Sequence, residues 1–236
     1  MRGLLVALAL AALGQAAAAE GTAFILAVSW QPAFCEGHAD LPECRSQSPL
    51  RHDADRFSLH GLWPQPKESV YCRVPAWQAA ASRLGDWQSL PSLALSAATR
   101  QALERAMPGT MSALDRHEWV KHGTCSGFDA EAYYAISLRL LDDLNGSAVR
   151  LLMAERRGRN LTAVELRRAF DRAFGAGAGS RVRFACVDDG GRRLISEMTL
   201  GLGGDPAAAG LADLLLAARP TDQGCPGGII DRPGLQ

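Results

Sequence analysis

Four segments of the chain alternate apolar and polar residues or carry short apolar runs rich in β-branched and aromatic side chains. This pattern predicts β-strands, and the glycines close to each segment are typical of strand ends and turns. Two of the segments lie near the start of the chain and two near its end. The predicted strands cover residues 22–30, 56–63, 181–188 and 192–202.

Between these strands, apolar residues recur at spacings of three and four, which predicts amphipathic helices. Asp129 and Thr162 precede two of the helical segments, and both residue types are preferred at helix N-caps. Strands at both ends with helices between them indicate an α+β fold, in which a central, mainly antiparallel sheet packs against several helices. The predicted helices cover residues 96–107, 113–122, 129–145 and 162–174.

The first nineteen residues predict export from the cytoplasm. Arg2 precedes a short apolar run, and the segment ends in an Ala-x-Ala site before Glu20. The run is too short to span a bilayer, and no later stretch reaches the ~18 apolar residues that a membrane-spanning helix needs. We therefore expect a signal peptide over residues 1–19, one domain over residues 20–236, no membrane association, and a periplasmic or secreted location.

The charge balance excludes a general attraction to polyanions or membranes. Without Arg2 the chain has 24 basic and 25 acidic residues, a net charge of −1. Residues 150–193 are the exception, with 11 arginines against 5 acidic residues. That segment either guides a polyanion toward a binding site or, as in most charge-rich segments, forms solvated helix surface.

The first candidate catalytic residues lie in the run HEWVKHGTC, residues 117–125. On a helix, Glu118 lies one turn before His122 and His117 one turn before Lys121, so the four polar side chains share one face. Gly123 is well placed to end that helix. The alternative is a solvated helix face, but two histidines so close together indicate proton transfer near neutral pH.

A second candidate lies in the run FSLHGLWP, residues 57–64. His60 is at the exit of a predicted strand, and the Gly and Pro that follow force the chain to turn. Trp63 presents a broad aromatic face that can stack on a nucleic-acid base or pack in a core. His38 and His52 have no comparable neighbours in sequence, so we expect them to be surface residues.

Together the two runs closely resemble the two active-site segments of the ribonuclease T2 family, and LAVSWQPAFC, residues 26–35, is similar to the opening strand of that family. FDAEAYY, residues 128–134, and AMPG, residues 106–109, are most similar to bacterial, periplasmic-type members. The resemblance implies a ribonuclease T2-like fold and a metal-independent, cofactor-independent endoribonuclease. Such an enzyme cuts single-stranded RNA through a 2′,3′-cyclic phosphate to 3′-phosphate ends and leaves DNA intact.

RNA cleavage by its own 2′-OH needs a base for that proton and an acid for the leaving 5′-oxygen. By resemblance His122 is the base and His60 the acid, although the residues alone allow the reverse. Lys121 and a protonated His117 are expected to stabilise negative charge on the phosphate. Glu118 is expected to orient His122 and to hold its proton.

The sequence indicates less about base recognition than about the catalytic residues. We expect Trp63, Gln31 and Tyr71 to line base sites on a monomeric enzyme. Some family members carry an acidic residue just after the Trp-Pro pair, where this chain has Gln65. Broad base specificity is therefore expected.

Six cysteines in an exported chain predict disulfides rather than a metal site, because no Cys-x-x-Cys spacing occurs. Sequence alone permits 15 pairings. The resemblance favours Cys72–Cys125 and Cys186–Cys225, and Cys35–Cys44 would then close a short proline-containing loop.

Two other classes of protein remain possible from the sequence. A zinc hydrolase of the His-Glu-x-x-His type needs histidines four apart, whereas His117 and His122 are five apart and diverge by about 140° on a helix. A secreted homologue that binds RNA or another ligand without cleaving it is the second alternative. The presence of every polar residue of both motifs argues against it.

Overall fold

A computed structural model describes residues 21–236, so the signal peptide predicted for residues 1–19 lies outside the described residues. No helix within the described range is long and apolar enough to cross a membrane. Within the same range, six strands form one sheet in the order β2-β1-β5-β6-β3, with β4 paired to the edge of β5. All pairings are antiparallel except β5–β6. The strands are β1 (Phe24–Ser29), β2 (Ser58–Pro64), β3 (Asn160–Thr162), β4 (Val182–Asp189), β5 (Arg192–Leu202) and β6 (Gly227–Ile229).

Helices pack against this sheet, which confirms the α+β architecture expected from the sequence. The two predicted N-caps are present: Asp129 accepts a hydrogen bond from a backbone N–H of the first turn, and Thr162 forms a capping box with Glu165. The helices of the described residues are α1 (Gln31–Glu36), α2 (Pro42–Arg45), α3 (Ala76–Arg83), α4 (Ala97–Ala106), α5 (Leu114–Lys121), α6 (Ala130–Asn145), α7 (Ala148–Glu155), α8 (Ala163–Phe174) and α9 (Leu211–Ala217).

The four predicted strands are confirmed to within two residues at each end, but the sequence pattern misses β3 and β6. Each of these strands has three residues, too few for an alternation to be visible, and β6 contains two glycines. The segments that become α1, α2, α3, α7 and α9 are also missed. All five of these helices have eight residues or fewer, so packing against neighbouring elements rather than sequence periodicity stabilises them.

Helix α6 fixes both ends of β2. The hydroxyl of Tyr133 donates to the carbonyl of Leu62 at 2.8 Å and accepts from the N–H of the same residue at 3.2 Å. At the other end of the helix, the Asn145 amide bonds both the N–H and the carbonyl of Phe57 at 2.9 Å. These side chains are buried, so β2 is held by hydrogen bonds that water cannot replace.

Two β-bulges lie on the strands that flank β1. On β2, Leu59 and Gly61 pair with consecutive residues of β1, which leaves His60 without a partner. On β5, the residues on either side of Ser196 pair with consecutive residues of β4. A bulge bends its strand and redirects a side chain. Both irregularities occur near the end of β1, where Ser29 pairs with β2 on one side and β5 on the other.

Three disulfides brace the fold, in the pairs Cys35–Cys44, Cys72–Cys125 and Cys186–Cys225. The second connects the chain that follows β2 to the turn after α5. Beside it, the N–H of Tyr71 donates to the carbonyl of Lys121 at 2.8 Å. This disulfide and this hydrogen bond keep the two histidine-containing segments together.

Removal of a disulfide should destabilise the protein more when the loop that it closes is longer, and the cost increases with the logarithm of the loop length. Replacing Cys72 and Cys125, 53 residues apart, by serine should lower the free energy of unfolding by roughly 4 kcal/mol in the chain-entropy model. Replacing Cys35 and Cys44, 9 residues apart, should cost roughly 3 kcal/mol. Urea denaturation of the two double variants measures both losses. A Cys125 peptide linked to any cysteine other than Cys72 in the unreduced protein would refute this arrangement.

Candidate active site

The bulge in β2 places His60 beside the end of α5. Trp63, three residues further along β2, lies between two imidazoles: its ring centroid is 5.2 Å from that of His60 and 5.4 Å from that of His122. Helix α5 ends at Lys121, and His122 follows as its C-cap with a backbone φ of −117°. The helix therefore ends one residue before the predicted end at residue 122, although the N–H of His122 still bonds the carbonyl of Glu118.

Glu118 is the buried acid at the centre of this group, with 1% of its surface exposed. The indole Nε1–H of Trp63 donates to its Oε2 at 2.7 Å. Its Oε1 lies 3.8 Å from Nε2 of His60 and 3.9 Å from Nε2 of His117. Burial raises the pKa of this carboxyl, against the lowering effect of His60, Trp63 and Lys121.

These contacts differ from the role expected for Glu118. The sequence spacing predicts that its carboxylate orients His122, but the side chain turns toward β2 and contacts His60, His117 and Trp63 instead. Its carbonyl, not its carboxylate, accepts a hydrogen bond from the N–H of His122. The reason is the hydrogen bond from the Trp63 indole, which holds the carboxylate on the side of β2.

Gly61 makes room for that carboxylate. A Cβ atom at this position would lie 2.0 Å from Oε2 of Glu118 and 2.6 Å from Nε1 of Trp63. No side chain can occupy that space without displacing the acid. The glycine of the HGLWP run is therefore part of the site geometry as well as of the turn.

His60 contacts a second carboxylate that the sequence motifs do not include. Its Nδ1 lies 2.6 Å from Oε2 of Glu197 on β5. Burial lowers the pKa of His60, but the hydrogen bond to Glu197 and the charges of Glu118 and Glu197 outweigh that effect and raise the pKa above its ordinary value. Nothing in the run RRLISEMTLGL distinguishes Glu197 from other strand residues, because only the pairing of β5 with β1 brings it to this site.

His122 is in a different environment. It is 8% exposed, and its Nδ1 is buried with no hydrogen-bond partner among the described residues. Burial, followed by the charges of Lys121, His117 and His60, lowers its pKa to about 3. The imidazole is therefore neutral at pH 7 and has an unprotonated nitrogen.

His117 is also neutral, which differs from the protonated form expected for a phosphate ligand. Burial, followed by the charges of Lys121 and His60, lowers its pKa to about 4. Its Nδ1 lies 2.8 Å from the hydroxyl of Ser82, which in turn lies 3.3 Å from the hydroxyl of Tyr71. A neutral imidazole still has one N–H, so His117 can donate a hydrogen bond to an anion.

The three candidate base-binding residues lie in two places. Trp63 is among the imidazoles, and Tyr71 joins the Ser82–His117 chain with the guanidinium of Arg83 4.4 Å from its ring centre. Gln31, in contrast, is buried on α1 and lines a cavity of about 560 Å³. Other lining residues, most of them apolar, include Phe34, Leu41, Leu114, His60 and Glu197.

The two histidines expected at the surface differ in their surroundings. His38 is exposed, as expected, but its ring stacks on Phe34 at 4.1 Å and lies along the same cavity. His52 is in a short 3₁₀ turn, and burial followed by the charge of Arg56 lowers its pKa. Neither contacts the residues around Glu118.

Several arginines of residues 150–193 have structural roles. Their guanidinium groups donate to backbone carbonyls at helix and strand ends, a role that neither interpretation of this segment included. These arginines are Arg150, Arg157, Arg167 and Arg181. Within residues 21–236 no group of three or more His, Cys, Asp or Glu side chains is arranged to hold a metal ion.

Comparison with known proteins identifies the family. The model of the Ribonuclease T2 family matches residues 21–207. This chain belongs to that family. It is 29% identical to Ribonuclease I of Escherichia coli strain K12 over 236 residues, which cover 89% of this chain and 86% of that protein. A ribonuclease of Aeromonas hydrophila is also 29% identical, over 48% of this chain and 42% of that protein.

Solved structures of ribonucleases share the fold at lower sequence identity. The self-incompatibility-associated SF11-RNase of Nicotiana alata has a TM-score of 0.58 at 16% identity, over 89% of this chain and 98% of that one. RNase NT, solved in complex with 5′-AMP, has a TM-score of 0.53 at 22% identity, over 91% of this chain and 99% of that one. The architecture described above is therefore that of ribonuclease T2 proteins.

Replacing Gly61 by alanine should displace the Glu118 carboxylate and disturb both imidazoles that it contacts. We expect loss of ribonuclease activity together with a loss of stability of about 1–3 kcal/mol, because the added methyl group overlaps a buried carboxylate that Trp63 holds in place. Gly21→Ala is the matched control, since nothing lies within 4 Å of a Cβ there. Activity assays and thermal denaturation of both variants check the expectation, which equal activity in the two would contradict.

Proposed function

We propose that this protein is an exported endoribonuclease that cleaves single-stranded RNA without a metal, with His122 as general base and His60 as general acid. The observation that carries the assignment is the different surroundings of the two imidazoles on either side of Trp63: Nδ1 of His60 lies 2.6 Å from a Glu197 oxygen, whereas Nδ1 of His122 is buried with no partner among the described residues. These surroundings move the two pKa values in opposite directions. Burial keeps His122 neutral, whereas two carboxylates keep His60 protonated. A pair of titratable groups with pKa values moved apart is the arrangement that acid–base catalysis at one pH requires.

In the first step, the unprotonated nitrogen of His122 accepts the proton of the 2′-OH. The 2′-oxygen then bonds to phosphorus, the bond from phosphorus to the 5′-oxygen breaks, and Nε2–H of His60 protonates that leaving oxygen. The product is a 2′,3′-cyclic phosphate. In the second step a water molecule gives a proton to Nε2 of His60 and its oxygen bonds to phosphorus. The bond from phosphorus to the 2′-oxygen breaks, and His122 returns its proton to that oxygen, which leaves a 3′-phosphate.

Charge on the phosphoryl oxygens increases in both steps. Lys121 and the N–H of neutral His117 are the donors proposed to stabilise it, a contribution of fixed charges and dipoles that need no reorientation. Glu118 balances the two cations, because it is close to His60 and to the helix end that carries Lys121. Ser82 fixes the ring orientation of His117 through Nδ1.

The substrate bases are proposed to bind on two sides of the phosphate. Trp63 lies beside His60 and His122, and Tyr71 lies on the side of Ser82 and His117. The apolar cavity with Gln31 in its wall lies on the side of His60 and Glu197. The aromatic faces of Trp63 and Tyr71 can stack on any base, because every base has a π-face, which supports broad base specificity.

Cleavage should require a ribose 2′-OH. We expect the protein to digest mixed-sequence RNA to fragments with 2′,3′-cyclic or 3′-phosphate ends, and to leave DNA of the same sequence intact. An RNA with one cleavable site carrying a 2′-O-methyl group should resist cleavage there. End analysis by mass spectrometry measures the outcome, and dialysis against a chelator controls for a metal hydrolase. Binding of RNA without any cleavage would support the alternative of a non-catalytic homologue.

The pH dependence of kcat/KM should reflect the two shifted imidazoles of the free enzyme. His122 must be unprotonated, so activity should be retained until pH falls far below the ordinary histidine pKa. His60 must be protonated, so activity should decline only as pH rises above about 6.5.

His60→Ala and His122→Ala should each reduce turnover by at least ~10²-fold. Near-normal turnover of His60→Ala, or a required deprotonation above pH 7, would refute the assignment.

A further inference from the structure

Glu197 is the residue closest to the proposed acid that neither sequence motif contains. It lies on β5, whereas His60 lies on β2, and β1 runs between these two strands. The side chains meet across β1, with Nδ1 of His60 2.6 Å from Oε2 of Glu197. The other nitrogen of the imidazole, Nε2, faces Oε1 of Glu118 at 3.8 Å.

We propose that Glu197 is a positioning residue for the general acid: it accepts a hydrogen bond from Nδ1–H of His60 and thereby directs Nε2–H toward the leaving oxygen. This inference rests on the proposed function, because it assigns Glu197 a part in the proton transfer made by His60. Glu197 itself does not contact the reacting atoms.

The bulges on either side of β1 explain why the two groups can meet. His60 is the unpaired residue of β2, and Glu197 follows the unpaired residue of β5. Neighbouring strands are about 4.8 Å apart, so side chains on β2 and β5 must span roughly twice that distance. An imidazole and a glutamate together have the length to do so. A regular pairing of β2 would shift every residue beyond the bulge to the opposite face of the sheet.

The proton balance is simple with Glu197 in this role. Nδ1–H remains on its nitrogen, bonded to the carboxylate, through the whole reaction. The Nε2 proton leaves to the 5′-oxygen in the first step, and the same nitrogen takes a proton from water in the second. Without the carboxylate, neutral His60 could carry its proton on either nitrogen. With the proton on Nε2, that nitrogen could not accept the proton of water in the second step until the tautomer changed.

The contrast with His122 supports a specific role. Nδ1 of His122 has no partner among the described residues, whereas Nδ1 of His60 faces a carboxylate. A general acid must hold its proton until the leaving oxygen takes it, and the carboxylate beside Nδ1 of His60 favours that protonated form. The charged or titratable groups that face His60 are Glu197 from β5, Glu118 and Lys121 from α5, and the imidazoles of His117 and His122. Glu197 has the strongest raising effect on the pKa of His60 among them.

The test compares Glu197→Gln with Glu155→Gln, which removes one negative charge from an exposed position on α7. Each variant is assayed from acid to alkaline pH on a dinucleoside phosphate and on a ribonucleoside 3′-(4-nitrophenyl phosphate), whose leaving group needs no protonation. Glu197→Gln should lower kcat on the dinucleoside phosphate by about 10-fold or more, with little change in KM. The alkaline limb of its profile should move to lower pH. On the nitrophenyl ester the loss should be several-fold smaller.

Nuclear magnetic resonance titration of the imidazole carbons measures the pKa of His60 directly, whether or not the protein is active. In Glu197→Gln this pKa should decrease, and in Glu155→Gln it should not change. An unchanged His60 pKa, or equal losses of kcat on the two substrates, would overturn the role of Glu197. If the wild-type protein cleaves neither substrate while the His60 pKa still depends on Glu197, the proposed function fails and the contact stands as a structural one.

Discussion

The buried carboxylate of Glu118 is the constraint on which the rest of the site depends. A buried negative charge is costly unless donors and cations surround it, and this one has the Trp63 indole N–H and two imidazole nitrogens close by. Those groups come from β2 and α5, so satisfying one acid requires the strand and the helix to be in register. The absence of a side chain at Gly61, the hydrogen bonds from α6 and the Cys72–Cys125 disulfide all serve to maintain that contact.

Around this acid, three histidines of the same chemical type are placed in three different environments. His60 lies between two carboxylates, His117 is stacked on Trp87 at 4.4 Å and bonded to Ser82, and His122 is buried beside a lysine. Their pKa values diverge for that reason. The differences arise from strands and helices that are distant in sequence, which is how one residue type can hold, donate or accept a proton within a single cleft.

Much of the fold and the members of both motifs could be predicted from the sequence, because long strands and capped helices leave periodic patterns. The four principal strands and the caps at Asp129 and Thr162 belong to that class. What the sequence does not reveal depends on long-range pairing. The acceptor of the His60 hydrogen bond lies 137 residues away on another strand, and the direction of the Glu118 side chain is set by Trp63 rather than by helical spacing. The neutral state of His117 likewise follows from the burial of its imidazole, which no local sequence pattern indicates.

His60 is the extra, unpaired residue of β2, so its position depends on the number of residues in this segment as much as on which residues they are. Removing one residue between Ser58 and Gly61 would restore regular pairing with β1 and leave every motif letter except one unchanged. The chain would keep its sheet and its other pairs with β1, but a histidine in that segment would then occupy a regularly paired position or be lost, and no side chain would extend from a bulge. In comparisons between related sequences, a single-residue gap in this strand therefore carries more functional information than most substitutions. In designed variants, it is therefore more important to keep the number of residues in this segment than to keep its composition.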